Sequence, residues 1–322
     1  MEKKDPSESK SSNPNPLTIG IVGVGDVVAK AHLPVLMTLK EFSVEWVTDV
    51  NTAQCQRVGR SFGVKWLPLP ENLENLPHTD IVLLAIPYGA RPPYYEILRK
   101  RKTAVYVEKP FAKTLKEHLD IVGHFPTARV GVGLQRRAMG SVNLIKNMID
   151  NQVFGALNSV DFRHGSSANT FNGKLFSIDS SLAGGGVLFE HGVHGLDLAL
   201  YMCGAITADD YQVKTIVEKG FDVHVEGKIQ LSTALGKFSL DLKTSWLTET
   251  GEGLTFWFEK ASVYMSLGEA KVLLKSLSGE TILTISDEYT LAPTTGFQTG
   301  AKFWLSFLDG VRNDKENYTF AG

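Results

Sequence analysis

Between Leu17 and about residue 135, short apolar runs alternate with stretches of helical period, and this alternation leaves few folds open. "LTIGIVGVGD" reads as a buried strand running into glycines, and "VVAKAHLPVLMTLK" as the helix that follows. "FSVEWVTDV" is a second strand, and "TAQCQRVGRSFG" a short helix closed by Gly63. "TDIVLLAIP", "TAVYVEKP" and "ARVGVGLQ" are further strands, separated by the proline-opened helix "PPYYEILRKRK" and by "TLKEHLDIVGHF". Such alternation makes βαβ units, and therefore a doubly wound parallel sheet covered on both faces, over residues 17–136.

After the amphipathic helix "SVNLIKNMIDNQVFG" the period changes to two. "ALNSVDFRHG", "YQVKTIVEKG", "FDVHVEGKIQLS", "KFSLDLKTSW", "LTFWFEKASVYMSLGE" and "TILTISDEY" read as strands, with one helix near residues 187–203. Residues 137–322 are therefore expected to form an α+β domain on a large, mainly antiparallel open sheet. The polar, Pro- and Ser-rich residues 1–16 lack an apolar core segment and read as a disordered tail.

The chain of 322 residues is long enough for two domains. Its net charge of -2 argues against general affinity for nucleic acid or an anionic membrane. No run approaches the ~18 apolar residues that span a bilayer. The two cysteines, Cys55 and Cys203, lie far apart without metal-ligand spacing, which fits a reducing cytoplasm.

Three stretches carry chemistry. In "GIVGVGDVVAKAH", Gly23 permits a tight turn and Gly25 lets the backbone approach a pyrophosphate seated at the following helix start, beside Asp26 and Val27. The third small position of that pattern holds Val28. Asp49, about 25 residues on, stands where a carboxylate bonds ribose hydroxyls and repels a 2′-phosphate, favouring NAD over NADP. Asp49 can also be read as a strand-end turn residue. In "VYVEKPFAKT", Glu108 and Lys109 fall at the carboxyl end of a strand, where open α/β sheets bind ligands, and Pro87 ends another. Lys109 could donate to a substrate hydroxyl oxygen or polarise a carbonyl, with burial and a cationic cofactor lowering its pKa; the alternative is an exposed strand-end lysine.

The third stretch is "GGGVLFEHGVHGLDLALYMCG", residues 184–204. Its three glycines would let another molecule come close to the backbone. On a regular helix Glu190, His194 and Asp197 share one face, and His191 points away from Glu190. His194 reads as the general base of an oxidation, with Glu190 orienting it, raising its basicity or holding a substrate hydroxyl, and Asp197 as a structural partner. A buried seam histidine is the plain alternative; a metal held by Glu190, His191 and His194 is a rival without companion ligands, so no metal is assigned. Gln135 and Arg136 follow the last parallel strand and can face substrate or form interdomain ion pairs. Trp246, Phe256 and Trp257 read as sheet packing or a subunit interface.

Glycine turn, Glu-Lys-Pro and Gly-Gly-Gly…Glu-x-x-x-His-x-x-Asp, in this order, resemble the Gfo/Idh/MocA family of oxidoreductases. The resemblance implies an N-terminal Rossmann domain, an NAD(P) cofactor, a polyhydroxylated small-molecule substrate (a sugar or cyclitol) and a homo-oligomer formed through the C-terminal sheet. It implies catalysis by Lys109 and His194, with Glu190 in place of the usual aspartate, and substrate contacts from His191, Gln135 and Arg136. Some proteins of this fold are non-catalytic, cofactor-binding sensors, usually without the lysine or the histidine; both are present here. Arg91 stands where many members have a histidine. The end at "NYTFAG" implies that the family's last helix is absent or lies outside this chain.

Overall fold

Runs such as Ile81–Leu84 and Ala104–Val107 are apolar at every position, so they can only be satisfied inside a sheet covered on both faces. The structure, a computed structural model, describes residues 15–166, 180–268, 271–286 and 293–315. The expected tail, apart from Asn15 and Pro16, lies outside these residues. Strands β1 (Leu17–Val22), β2 (Phe42–Asp49), β3 (Lys65–Pro68), β4 (Ile81–Leu84), β5 (Ala104–Val107) and β6 (Val130–Val132) form a six-stranded sheet in the order β3-β2-β1-β4-β5-β6. All its pairings are parallel. The order reverses between β1 and β4, and the crevice at such a switch point is where doubly wound sheets bind ligands. The sequence reading lacks β3, whose four residues, KWLP, are too few to show a period.

The second sheet holds β7 (Leu157–Gly165), β8 (Ala205–Glu218), β9 (Phe221–Thr233), β10 (Gly236–Ser245), β11 (Gly251–Phe258), β12 (Ser262–Ser266), β13 (Lys271–Lys275) and β14 (Thr281–Ser286). Its order is β14-β13-β12-β11-β7-β10-β9-β8, antiparallel except where β7 pairs with β10. One face is covered by α5 (Gly140–Asp150) and α7 (Val193–Cys203), which bury Val142, Ile145, Leu198 and Met202 against Val160 and Phe162. The edge strand β8 leaves Ile206, Tyr211 and Val217 exposed. Cys55 and Cys203 are buried free thiols.

The chain's end corrects the expectation of a missing last helix. Helix α8 (Pro293–Asn313) returns to the first sheet, where Phe303, Trp304 and Phe307 are fully buried against β5 and β6. Trp304 stacks on Tyr106 with ring centroids 4.3 Å apart, and Gly131 is bare because a Cβ there would meet the Tyr106 and Phe307 rings at 2.8 and 3.0 Å. The first core therefore draws on residues well beyond 136. Each such aromatic contributes about 1.5–3 kcal/mol of burial. No described helix is long and apolar enough to cross a membrane.

Gly195, inside α7, lies under the Phe162 ring, with a Cβ position only 2.2 Å from Cδ2. In most helices Gly→Ala stabilises by about 0.5–1 kcal/mol. Gly195→Ala is expected to do the reverse, costing roughly 1–3 kcal/mol through overpacking. A urea midpoint equal to or above that of the parent would contradict this packing.

Candidate active site

The crevice is built first by the glycine turn. Gly23 has φ +89°, and a Cβ there would lie 2.4 Å from the Ala85 carbonyl oxygen, so glycine is required twice over. At Gly25 nothing lies within 4 Å of a Cβ position, which leaves the backbone open to a ligand. One Asp49 oxygen accepts from the Val24 amide at 2.7 Å, and the other from the Asn51 amide at 2.7 Å. The carboxylate is thus locked beside the turn, and its two oxygens retain acceptor capacity for hydroxyls. Val28 is fully buried and opens a π-turn, Val28–His32, that leads into α1 (Leu33–Leu36). The wider turn makes room for a side chain where close packing would otherwise demand glycine. Asp26 and Val27 precede that turn, Asp26 pairing with Lys30 at 3.0 Å on the surface. Pro87 follows β4 and leads the turn Tyr88–Ala90. An open glycine backbone, a fixed carboxylate and a strand-turn-helix geometry fit a dinucleotide.

Glu108 and Lys109 lie one strand further along the sheet. The Glu108 Oε1 accepts from His32 Nε2 at 2.7 Å and from Gln135 Nε2 at 3.3 Å. Burial alone would raise this carboxyl, but the His32 hydrogen bond and the charges nearby, including Lys109 and Arg91, outweigh it and hold the group below the usual range. Arg91, itself buried, donates to the Pro110 carbonyl at 2.6 Å and to the Ile86 carbonyl at 3.1 Å. It ties the loop after β4 to the Glu-Lys-Pro turn. Lys109 Nζ crosses to the second sheet's helix and donates to the Glu190 carbonyl oxygen at 3.1 Å.

That helix begins as a second π-turn, Leu188–Gly192, before α7. The extra residue in the turn breaks the regular i, i+4 register on which Glu190 was expected to support His194. Among the described residues no hydrogen bond joins the Glu190 carboxylate to the His194 ring. The expected rise in His194 basicity is overturned as well: burial, then the charges of Arg136 and Lys109, push it well below the ordinary imidazole value, with His164 and His191 adding to the effect. His191 stacks flat on His164 with centroids 4.1 Å apart and planes at 11°. Burial, then His191, Arg136 and Lys109, lowers His164 to about 4.

His164 Nδ1, His191 Nδ1 and Arg136 Nη1 are buried without a hydrogen-bond partner among the described residues. Unmet buried polar atoms of this kind are what a polar ligand completes. Arg136 stands 3.7 Å from Glu252, an ion pair beyond good hydrogen-bond length. Gln135 turns its amide back to Glu108 and to the Tyr106 hydroxyl, 3.3 Å from each. Trp246 stands edge-on to His191, Phe256 is core, and the half-exposed Trp257 donates to Asp161 at 2.8 Å.

The three glycines have a different cause from the one expected. Gly184 has φ +79° and abuts the Tyr88 ring, while a Cβ on Gly186 would lie 2.1 Å from the Asp222 carbonyl oxygen. The space beside them is taken by the protein itself: Tyr88 at Gly184, the Phe189 ring at Gly185 and β9 at Gly186. Asp222 then accepts from the Gly186 and Leu188 amides at 2.7 and 2.8 Å, holding the start of the π-turn. Asp197 takes the structural role read for it: the Arg137 Nε donates to both its oxygens at 3.0 Å, and both side chains are about nine-tenths buried. His32, His164, Arg137 and Asp222 were not singled out in the sequence. Of these, only His32 and Arg137 left a trace, the first beside the glycine turn and the second beside Arg136.

A parallel switch-point sheet with an open glycine turn defines a Rossmann-type fold, and a lysine reaches from it to a histidine-bearing helix. Residues 17–134 match the oxidoreductase family with an NAD-binding Rossmann fold, and residues 142–270 match the GFO/IDH/MocA C-terminal domain. The chain belongs to the Gfo/Idh/MocA family. Among curated relatives it is 27% identical over 190 residues to glucose-6-phosphate 3-dehydrogenase of Bacillus subtilis (strain 168), a match covering 57% of this chain and 53% of that enzyme. It is 23% identical over 231 residues to dTDP-3,4-didehydro-2,6-dideoxy-alpha-D-glucose 3-reductase of Streptomyces antibioticus, covering 69% of this chain and 68% of that one. Levoglucosan dehydrogenase, solved with NADH and L-sorbose, superposes with a TM-score of 0.77 at 16% identity over 93% of this chain and 90% of its own. A 3-ketoreductase from Actinomadura kijaniata, solved with NADP and TDP-benzene, gives 0.77 at 16% identity over 94% and 92%. Structural likeness at this identity shows the shared fold.

Removing one partner of a buried ion pair strands the other charge. Asp197→Ala is expected to cost about 3–5 kcal/mol, and the paired replacement Arg137→Met with Asp197→Leu much less. Equal losses in the single and paired variants, by urea unfolding, would contradict this.

Proposed function

We propose that the protein is an NAD(P)-dependent dehydrogenase or reductase that moves a hydride between the nicotinamide and a hydroxyl or carbonyl carbon of a sugar, cyclitol or related polyhydroxylated molecule. The observation that carries this reading is the convergence of Lys109, from the first sheet, with the helix bearing Glu190, His191 and His194, from the second. Gly23, Gly25, Asp26, Val27, Asp49, Pro87 and Glu108 would hold the cofactor, which supplies the hydride acceptor or donor. NAD is favoured, because the locked Asp49 carboxylate would bond ribose hydroxyls and repel a 2′-phosphate.

In this reading the Lys109 ammonium donates to the carbinol oxygen and fixes the substrate. His194 takes the hydroxyl proton during oxidation and returns it during reduction. Stacked on each other, His164 and His191 offer their free ring nitrogens to further hydroxyls, and Arg136 donates from its unmet Nη1. The Glu190 carboxylate accepts a hydrogen bond from a substrate hydroxyl. The curated relatives act, by their names, on hexose derivatives, which supports a polyhydroxylated substrate here.

The test is the absorbance at 340 nm with NAD(H) and a panel of sugars, cyclitols and their keto forms. Lys109→Met is expected to lose roughly 10²–10⁴ in kcat while keeping cofactor affinity. The sign of the pH dependence follows from His194. A proton acceptor works in its neutral form, which prevails above its pKa, and that pKa is pushed well below 6.5. Oxidation should therefore hold level as pH falls through about 6.5 and drop only in more acid solution. Cofactor binding without turnover of any panel member, in either direction, would leave a non-catalytic sensor instead.

A further inference from the structure

We infer that Trp304, on the chain's last helix, is a positioning residue for the Glu108–Lys109 pair, acting through the tautomer of His32. This rests on the reading of Lys109 as catalytic. The indole N–H can only donate, and it donates to His32 Nδ1 at 3.1 Å. That nitrogen must therefore present its lone pair, so the ring proton is carried by Nε2. Nε2 then donates to Glu108 Oε1 at 2.7 Å. A hydrogen bond thus passes from α8, through the π-turn after β1, to the carboxyl end of β5. Little water reaches the path, since Trp304 is 1% and His32 3% exposed.

The carboxylate at the end of this path has little freedom. A Cβ on Gly133 would lie 2.6 Å from its Oε1, and Gln135 donates to the same oxygen. The charged and titratable groups acting on it are His32, Lys109 and Arg91. Lys109 is its chain neighbour, so a carboxylate fixed here is a fixed counter-charge for the ammonium. With the other tautomer, His32 would turn a lone pair toward Glu108, and two acceptors 2.7 Å apart repel. The indole N–H selects against that state. Phenylalanine at this position would keep an aromatic ring on Tyr106, at smaller volume, but would not supply the donated proton.

Two readouts test this on the full-length protein. The first is the ¹⁵N spectrum of histidine-labelled protein, with the His32 signals assigned by their loss in His32→Gln; it requires no turnover. The parent should show the Nε2–H tautomer alone, and Trp304→Phe a mixture of the two. The second is hydride transfer against pH, using the best substrate of the sugar panel. Trp304→Phe should lose roughly tenfold in kcat, on the scale of one hydrogen bond to a charged group. Its acid limb, set in the parent by His194, should move to higher pH, because Glu108, deprived of the His32 hydrogen bond that lowers it, takes up a proton more readily. Adding His32→Gln to Trp304→Phe should restore both, because an amide NH₂ donates to Glu108 without a tautomer to choose.

An unchanged His32 tautomer in Trp304→Phe would overturn the inference. So would an unchanged rate and acid limb with only a lower melting temperature, since that would make Trp304 a packing residue. A parent that shows the tautomer but transfers no hydride would instead overturn the reading of Lys109, and with it any part for Trp304 in catalysis.

Discussion

The buried pair of Arg137 and Asp197 is the interaction on which the rest of the site depends. It joins the turn after the last parallel strand to the middle of α7, so it fixes where the second sheet's helix lies over the first sheet's carboxyl ends. An ion pair about nine-tenths buried tolerates little displacement, because each charge would be stranded without the other. With that joint set, Lys109 reaches the Glu190 carbonyl, and the charge of Arg136, one residue before Arg137, acts on the histidines. The crevice is a seam between two separately covered sheets, and its chemistry belongs to neither alone.

Two π-turns shape that seam. π-turns are rare and concentrate at functional sites because they present side chains that a regular helix would turn away. At Val28–His32 the turn takes a buried valine and delivers His32 to Glu108. At Leu188–Gly192 it presents the Glu190 carbonyl to Lys109 and stacks His191 on His164. Each turn contributes one histidine, the first supporting Glu108 behind the crevice and the second lying within it. The cluster of Lys109, Arg136 and three histidines shows the usual response of buried bases packed together, with His194 and His164 both held toward the neutral form.

Much of this was legible in the sequence. Apolar runs such as "IVLL" and "AVYV" announced a parallel sheet, and Gly23, Gly25, Asp49 and Lys109 stood at strand ends where such sheets bind ligands. What escaped has physical causes. Helix α8 carries a stripe at Phe297, Ala301, Trp304, Leu308 and Val311, but its opening "PTTG" and interior Gly300 and Gly310 weaken the helical signal. Gly300 is there for packing, since a Cβ would meet Val35 at 3.2 Å. A helical wheel assumes an unbroken 3.6-residue period, so it set Glu190 and His194 in a register that the π-turn breaks. The glycines at 184–186 looked like room for a ligand and are room for Tyr88, Phe189 and β9, because a sequence does not show which neighbour comes close. His164 sits at a strand end with no local pattern, and only the fold brings it to His191.

The most direct measurement follows the hydride itself. The protein would be mixed with NAD and a polyol of the panel carrying deuterium on the carbinol carbon, and the recovered cofactor examined by mass spectrometry and proton NMR. The account predicts one deuterium at C4 of the nicotinamide, on a single face, and none with Lys109→Met. Bound cofactor that stays free of deuterium, or deuterium delivered equally well without Lys109, would contradict it.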